Sequence, residues 1–362
     1  MKKKTRITAL AVCLCVLLCG CDLWMDGSYH NVRPHYEESV EESNQTVEVS
    51  SYTELRQRLI ELVESGRQSS MIYLSSGSQQ LLQNYMEMAS EYIIGHNAIG
   101  AYAVDEIVYE VGTSGAKPAV AVAITYLHGR SEILHLKQAQ TMDEAIHFIT
   151  TALNDCDAGV VMKVEQFEKV DFIQLIQDYV DENPQLCMEM PQVTTVVYPD
   201  SGTERVVELS FTYQTSREAL RSMQTTVKQI FASARLYVSA DAEDWEKYSQ
   251  LYSFLMERYD YTVETSITPS YSLLRHGVGD SKAFAAVYAA MCRRSGLDCQ
   301  VVSGTRAGEP WCWNVLFLDG VYYHIDLLRC SQGNGFQART VEEMSGYVWD
   351  YSEYELQSEE AA

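Results

Sequence analysis

The sequence predicts an α+β chain: two αβαββ modules in tandem, followed by a longer and more helical third segment. Two observations carry this. A pair of capping boxes, Ser51 with Glu54 and Thr141 with Glu144, each opens an apolar run and recurs at an offset of 90 residues. Beyond Leu220 the apolar period changes from the alternation of strands to the three-and-four spacing of amphipathic helices.

Within the first module, 51–137, the capped helix leads to a short strand at 71–74. A helix bearing Leu81, Leu82, Tyr85, Met88 and Ala89 follows, and then a hairpin from 107–111 that turns at 112–115. In the second, 138–220, a strand at 160–164 precedes a helix bearing Phe172, Leu175, Ile176 and Tyr179, and a hairpin from 194–198 turns at 199–202. The closing strands share Ile124-Thr-Tyr126 and Phe211-Thr-Tyr213, 87 residues apart, which suggests a duplication. The third segment, 221–350, begins with one helix face of Leu220, Met223, Val227, Ile230 and Ala234. A second face of Trp245, Tyr248, Tyr252, Leu255 and Tyr259 has Asp241 as its expected N-cap.

Fifty acidic residues stand against 27 basic ones, a net charge of -23. Such a surface repels a phosphate backbone, which excludes nucleic acid as a partner, and it offers no basic patch to anionic lipid. Four of the positive charges (Lys2, Lys3, Lys4 and Arg6) precede an apolar run at 7–20 that is too short to span a bilayer, for which about 20 residues are needed. This is the pattern of an export signal, and its loss takes the remainder to -27. The run closes on Leu18-Cys19-Gly20-Cys21, which resembles the lipobox of bacterial lipoproteins. The resemblance implies cleavage after 1–20, lipid on Cys21 and retention at the extracytoplasmic face of the membrane, since several acyl chains anchor where one is marginal. Residues 21–50, acidic and without periodicity, read as a flexible tether, and 351–362 as an acidic tail.

Six cysteines remain in the body of the chain (Cys156, Cys187, Cys292, Cys299, Cys312 and Cys330), and fifteen pairings stay open. None has CxxC spacing, and HExxH, Walker A and dinucleotide fingerprints are missing. No metal or cofactor is therefore expected.

The chemistry-bearing stretch follows Tyr259. Tyr271, Gly277, Phe284, Ala285, Gly296, Ser303, Gly304, Trp313, Asn314, Asp319, Gly320, Tyr323, His324 and Asp326 stand in a frame that resembles the bacterial transglutaminase-like superfamily. That resemblance implies a papain-like core. It also implies a cysteine at a helix N-terminus, a histidine base and an aspartate that orients it. Laid on the frame, the cysteine position holds Ser281, the histidine position holds Trp311, and the aspartate is Asp326. A hydroxyl without a base is a poor nucleophile, and an indole N–H only donates. Loss of general-base help alone typically costs roughly 10²–10⁴-fold. The expected site is therefore catalytically vestigial, in a lipid-anchored binding or scaffold protein whose partner is an envelope protein, a peptide or a cell-wall ligand.

The alternative is a hydrolase or acyltransferase in which Ser281 attacks with His324 or His276 as a relocated base and Asp326 as its partner. His324 shares a strand face with Asp326, but the family commonly carries it without catalytic use. His276 reads as a solvated loop residue. Cys312, beside the base position, reads as core, and Asp280 as the N-cap of the helix that starts at Ser281.

Overall fold

The computed structural model describes residues 47–262, 265–333 and 335–350, all within one unit spanning 46–362. The export signal, Cys21, most of the tether and the tail at 351–362 lie outside the described residues.

The first part of the chain runs β1 (Val47–Val49), α1 (Tyr52–Glu64), β2 (Ser69–Leu74), α2 (Gln79–His96), α3 (Ala98–Ala103), β3 (Val104–Ser114) and β4 (Lys117–Tyr126). Its sheet has the order β1-β2-β4-β3, with β1 parallel to β2 and the other pairs antiparallel. Ser51 caps α1 by accepting from the Glu54 amide at 3.3 Å. The Glu54 carboxylate reaches back to the amide of Ser50, at 2.6 Å. The i, i+3, i+4 stripe of Leu55, Leu59, Leu62 and Val63 is buried, as an amphipathic helix on a sheet requires.

Two boundaries differ from the sequence reading. Val47–Val49, placed there at the end of the tether, pairs with β2 as an edge strand; three residues are too few to show a period. The β3–β4 hairpin runs past the expected turn at 112–115. Ser114 still pairs with Lys117, and Gly115, at φ +64, takes the left-handed conformation the two-residue turn needs.

The second part runs α4 (Arg130–Leu134), β5 (Lys137–Ala139), α5 (Met142–Asn154), β6 (Gly159–Val164), α6 (Phe172–Glu182), β7 (Gln192–Tyr198) and β8 (Arg205–Thr212). Its sheet order is β5-β6-β8-β7, with β5 parallel to β6 and the rest antiparallel. Both sheets therefore carry a short parallel edge strand ahead of the first helix of the expected αβαββ order, and β5 straddles the expected boundary at 137/138.

In the third part, α7 (Arg217–Tyr237) buries Leu220, Val227, Phe231 and Ala234, and α8 (Asp244–Met256) buries Tyr248, Leu251, Tyr252 and Leu255. The N-cap of α8 is Glu243 rather than Asp241. A turn closed by the Ala242 amide on the Ser239 carbonyl delays the helix by two residues.

β9 (Asp260–Tyr261) pairs with β10 (Val278–Gly279). Between them the turn Pro269–Tyr271 continues as a π-helical turn, Ser272–His276, closed by Gly277 at φ +78. Then come α9 (Ser281–Arg294), β11 (Cys299–Arg306), β12 (Glu309–Leu318), β13 (Val321–Ile325), α10 (Leu327–Ser331) and β14 (Tyr347–Trp349). The strands form an antiparallel sheet in the order β13-β12-β11-β14. One face packs on α9, with Phe284, Val287 and Tyr288 against Leu316, Ile325 and Cys299. The other face carries a smaller aromatic core of Trp313, Tyr347 and Trp349 with Val302 and Val315.

Among the described residues no helix is long and apolar enough to cross a membrane, and no His/Cys/Asp/Glu group is arranged to hold a metal ion. The six described cysteines are free thiols, five of them buried and Cys312 half-buried.

Candidate functional site

The site is assembled where α9 meets the end of the third sheet. Asp280 caps α9, its Oδ1 accepting from the Ala283 amide at 2.8 Å, which places Ser281 in the first helical turn. The helix is rich in alanine and almost wholly buried, so its backbone approaches the strands closely. Asn314 fastens the two elements. Its Nδ2 donates to the Ala285 carbonyl at 2.9 Å and to the Gln300 carbonyl at 3.2 Å.

Along β12, alternation sends Trp311, Trp313 and Val315 to the aromatic face and Cys312, Asn314 and Leu316 toward α9. The contact between helix and strand at the site is made by Ser281, whose Oγ accepts the Cys312 amide hydrogen at 3.2 Å. The Cys312 thiol lies 3.6 Å from Ser303 Oγ. Burial pushes this thiol above its ordinary value, only partly offset by the Ser303 hydroxyl and the Lys282 charge, so it stays protonated near neutral pH.

Asp326 is the electrostatic centre. It is 1 % exposed, yet both oxygens are fully engaged. Oδ2 accepts from Trp311 Nε1 at 3.0 Å, Arg306 Nη1 at 3.1 Å and Tyr347 Oη at 2.6 Å. Oδ1 accepts the amides of Leu328 and Arg329, each at 3.1 Å, and so caps α10. Five donors on one carboxylate leave it no room for a further ring. The Tyr347 phenol is pushed up to about 12, first by burial and then by its bond to the carboxylate, so it remains a donor. Trp311 itself is packed between Tyr261, with ring centroids 5.4 Å apart, and the Arg306 guanidinium, 5.1 Å from its ring centre.

The two histidines lie elsewhere. His324 is fully buried among Trp313, Tyr347 and Trp349, and its Nδ1 accepts from Trp313 Nε1 at 3.0 Å. An acceptor at Nδ1 fixes the neutral tautomer with the proton on Nε2, and burial lowers the ring to about 4. His276 belongs to the π-helical turn rather than a loop. It is exposed, with its ring edge-on to Tyr271 at 5.5 Å.

The structure thus brings Trp311 onto Asp326, and Ser281 onto the backbone of the next residue, Cys312. Sequence reasoning missed Arg306, Tyr347 and Tyr261. The Tyr347-Val-Trp349 alternation was the one local sign that a strand bearing aromatics would close over the aspartate.

Against known proteins, residues 232–349 match the transglutaminase-like superfamily. This part of the chain is a transglutaminase-like domain. The match reaches beyond the stretch that carries the sequence resemblance, taking in part of α7, all of α8 and β14. Among solved structures, the chain is similar to a crystal structure of a TGase at 12% identity and a TM-score of 0.28, covering 57% of this chain and 62% of that one. It is also similar to a candidate cysteine protease from Cytophaga hutchinsonii, at 10% identity, a TM-score of 0.26 and coverage of 44% and 70%. A candidate protease from Parabacteroides distasonis gives 8% identity, a TM-score of 0.23 and coverage of 72% and 40%. The chain therefore spans less than two thirds of the TGase it matches. No curated protein matches the sequence.

Proposed function

We propose that this protein is a membrane-anchored extracytoplasmic lipoprotein whose transglutaminase-like domain is catalytically degenerate and serves a binding or scaffold role at the cell envelope. The observation that carries the reading is the Trp311 indole seated on Asp326, where the family resemblance places an imidazole. An indole N–H cannot take a proton from a nucleophile. The oxygen at the nucleophile position is held by a backbone amide, and the buried carboxylate is saturated by five donors. The position of His324, accepting from Trp313 within an aromatic core, argues in the same direction.

Anchoring rests on the sequence alone, on the basic start, the short apolar run and Cys21. Cells grown with an alkyne-tagged palmitate are expected to yield labelled wild-type protein, with the label lost in Cys21→Ala. Unlabelled wild-type protein would contradict the anchor. The degenerate site is tested by a fluorophosphonate probe, which is expected to leave Ser281 unmodified. A Ser281 adduct would favour the hydrolase reading.

A further inference from the structure

A second concavity lies on the other side of α9. Successive helix positions turn by about 100°, so Ser281 and Ala285 point to the sheet while Ala283 and Ala286 point away from it. Opposite those two alanines stand the end of α6 and the segment that leads into β7. A cavity of about 390 Å³ opens between them. It falls within the size range of small-molecule sites.

The cavity exists because one wall is built from small side chains, Ala283, Ala286 and Ser270. The facing wall is apolar and adaptable, with Val180, Met188 and Met190. A ligand body entering here must be largely hydrophobic.

The polar lining is rich in acceptors. Glu189 is 4 % exposed, and its two oxygens accept the amides of Gln214 at 2.6 Å and Thr215 at 3.1 Å, one each. Each oxygen keeps a free lone pair, and no described cation pairs with this carboxylate. Ser270 is 3 % exposed, and its hydroxyl proton points at the thioether of Met188 at 4.0 Å, a weak acceptor. The Ser270 oxygen accepts no hydrogen bond among the described residues. Asp280 adds a third acceptor group beside the α9 N-terminus. The lining's lysine, Lys282, is already neutralised across the mouth by Asp181 at 2.8 Å. Three carboxylates against one ammonium leave the cavity net negative. A buried carboxylate without a cation is a costly arrangement that a positively charged donor relieves.

We propose that this cavity binds a small aliphatic amine: an apolar chain laid along Met188, Met190 and Ala286, with its ammonium donating to Glu189 and Ser270. The site is separate from Ser281, and the inference stands whether or not Ser281 is inert.

Isothermal titration of the purified protein at pH 7 with hexylamine, hexanol and hexanoate tests it. Hexylamine is expected to bind one to one, with hexanol and hexanoate at least tenfold weaker. Ala286→Phe, which fills the cavity, is expected to abolish the binding. Ser270→Ala, which removes one acceptor with little change in volume, is expected to weaken it about threefold or more, and it reports on the site should Ala286→Phe fail to fold. Absence of hexylamine binding, hexanoate binding as tightly as hexylamine, or undiminished binding in a folded Ala286→Phe or in Ser270→Ala would each overturn the proposal.

Discussion

Asp326→Ala is expected to lower the stability of the protein by about 3–5 kcal/mol, the usual range when one partner of a buried charge pair is removed. The substitution strands the Trp311 indole, the Tyr347 hydroxyl, the partly exposed Arg306 guanidinium and two α10 amides at a position that is 1 % exposed. Loss of the cap alone accounts for about 1 kcal/mol of this. Asp326→Asn is expected to cost nearly as much. Its oxygen can keep the α10 cap, but its NH₂ then faces the three donors that converge on Oδ2. Urea unfolding of the three proteins measures the effect. A loss under about 1 kcal/mol for Asp326→Ala would mean that the carboxylate is not the hub its contacts describe.

His324 sets a pH dependence of similar size. Burial lowers the ring to about 4, below its ordinary 6.5, so the unfolded chain binds this proton more tightly than the folded one. Stability from the group is therefore fully present above pH 6.5 and is lost as the pH falls from 6.5 toward 4. Two and a half pH units correspond to about 3 kcal/mol. The imidazolium would also lose the Trp313 bond, because its Nδ1 would become a donor facing a donor. His324→Gln can still accept from the indole but does not titrate. Between pH 7 and pH 4, wild-type protein is expected to lose about 3 kcal/mol more than this variant. Parallel stability curves would show that the ring is accessible to protons in the native state.

How much of this was legible in the sequence follows from the range of the interactions. The Asp280 cap and the start of α9 at Ser281 are local, and the spacing displays them. Helix faces such as Leu220, Val227 and Ala234 are periodic over several turns and read equally well. Val47–Val49 and Lys137–Ala139 could not be read, because three-residue strands have no period and owe their form to the neighbouring strand. The start of α8 was misplaced because a turn over Ser239 and Ala242, rather than the best capping side chain, decides it.

At the site, the motif frame is enough to assign Ser281, Trp311 and Asp326 to one constellation. It could not show that Arg306, from the end of β11, and Tyr347, on β14, would converge on the same oxygen as Trp311. Those contacts depend on the order of strands in the sheet. Gly304 is part of the same closure. A side chain there would strike the Val348 carbonyl and the Trp313 ring, so the glycine lets β14 pair closely with β11 at the edge of the sheet.

The proposed function requires that the Ser281, Trp311 and Asp326 arrangement perform no acyl chemistry. Its most direct test is prolonged incubation of the purified protein with a fluorophosphonate at pH 7–8, with peptide mass spectrometry at Ser281 and a known serine hydrolase as positive control. No adduct is expected on Ser281, and wild-type protein and Ser281→Ala should be indistinguishable. A stoichiometric adduct on Ser281 that disappears in Ser281→Ala, and falls in His324→Gln or His276→Gln, would contradict the account and place a working base beside the hydroxyl.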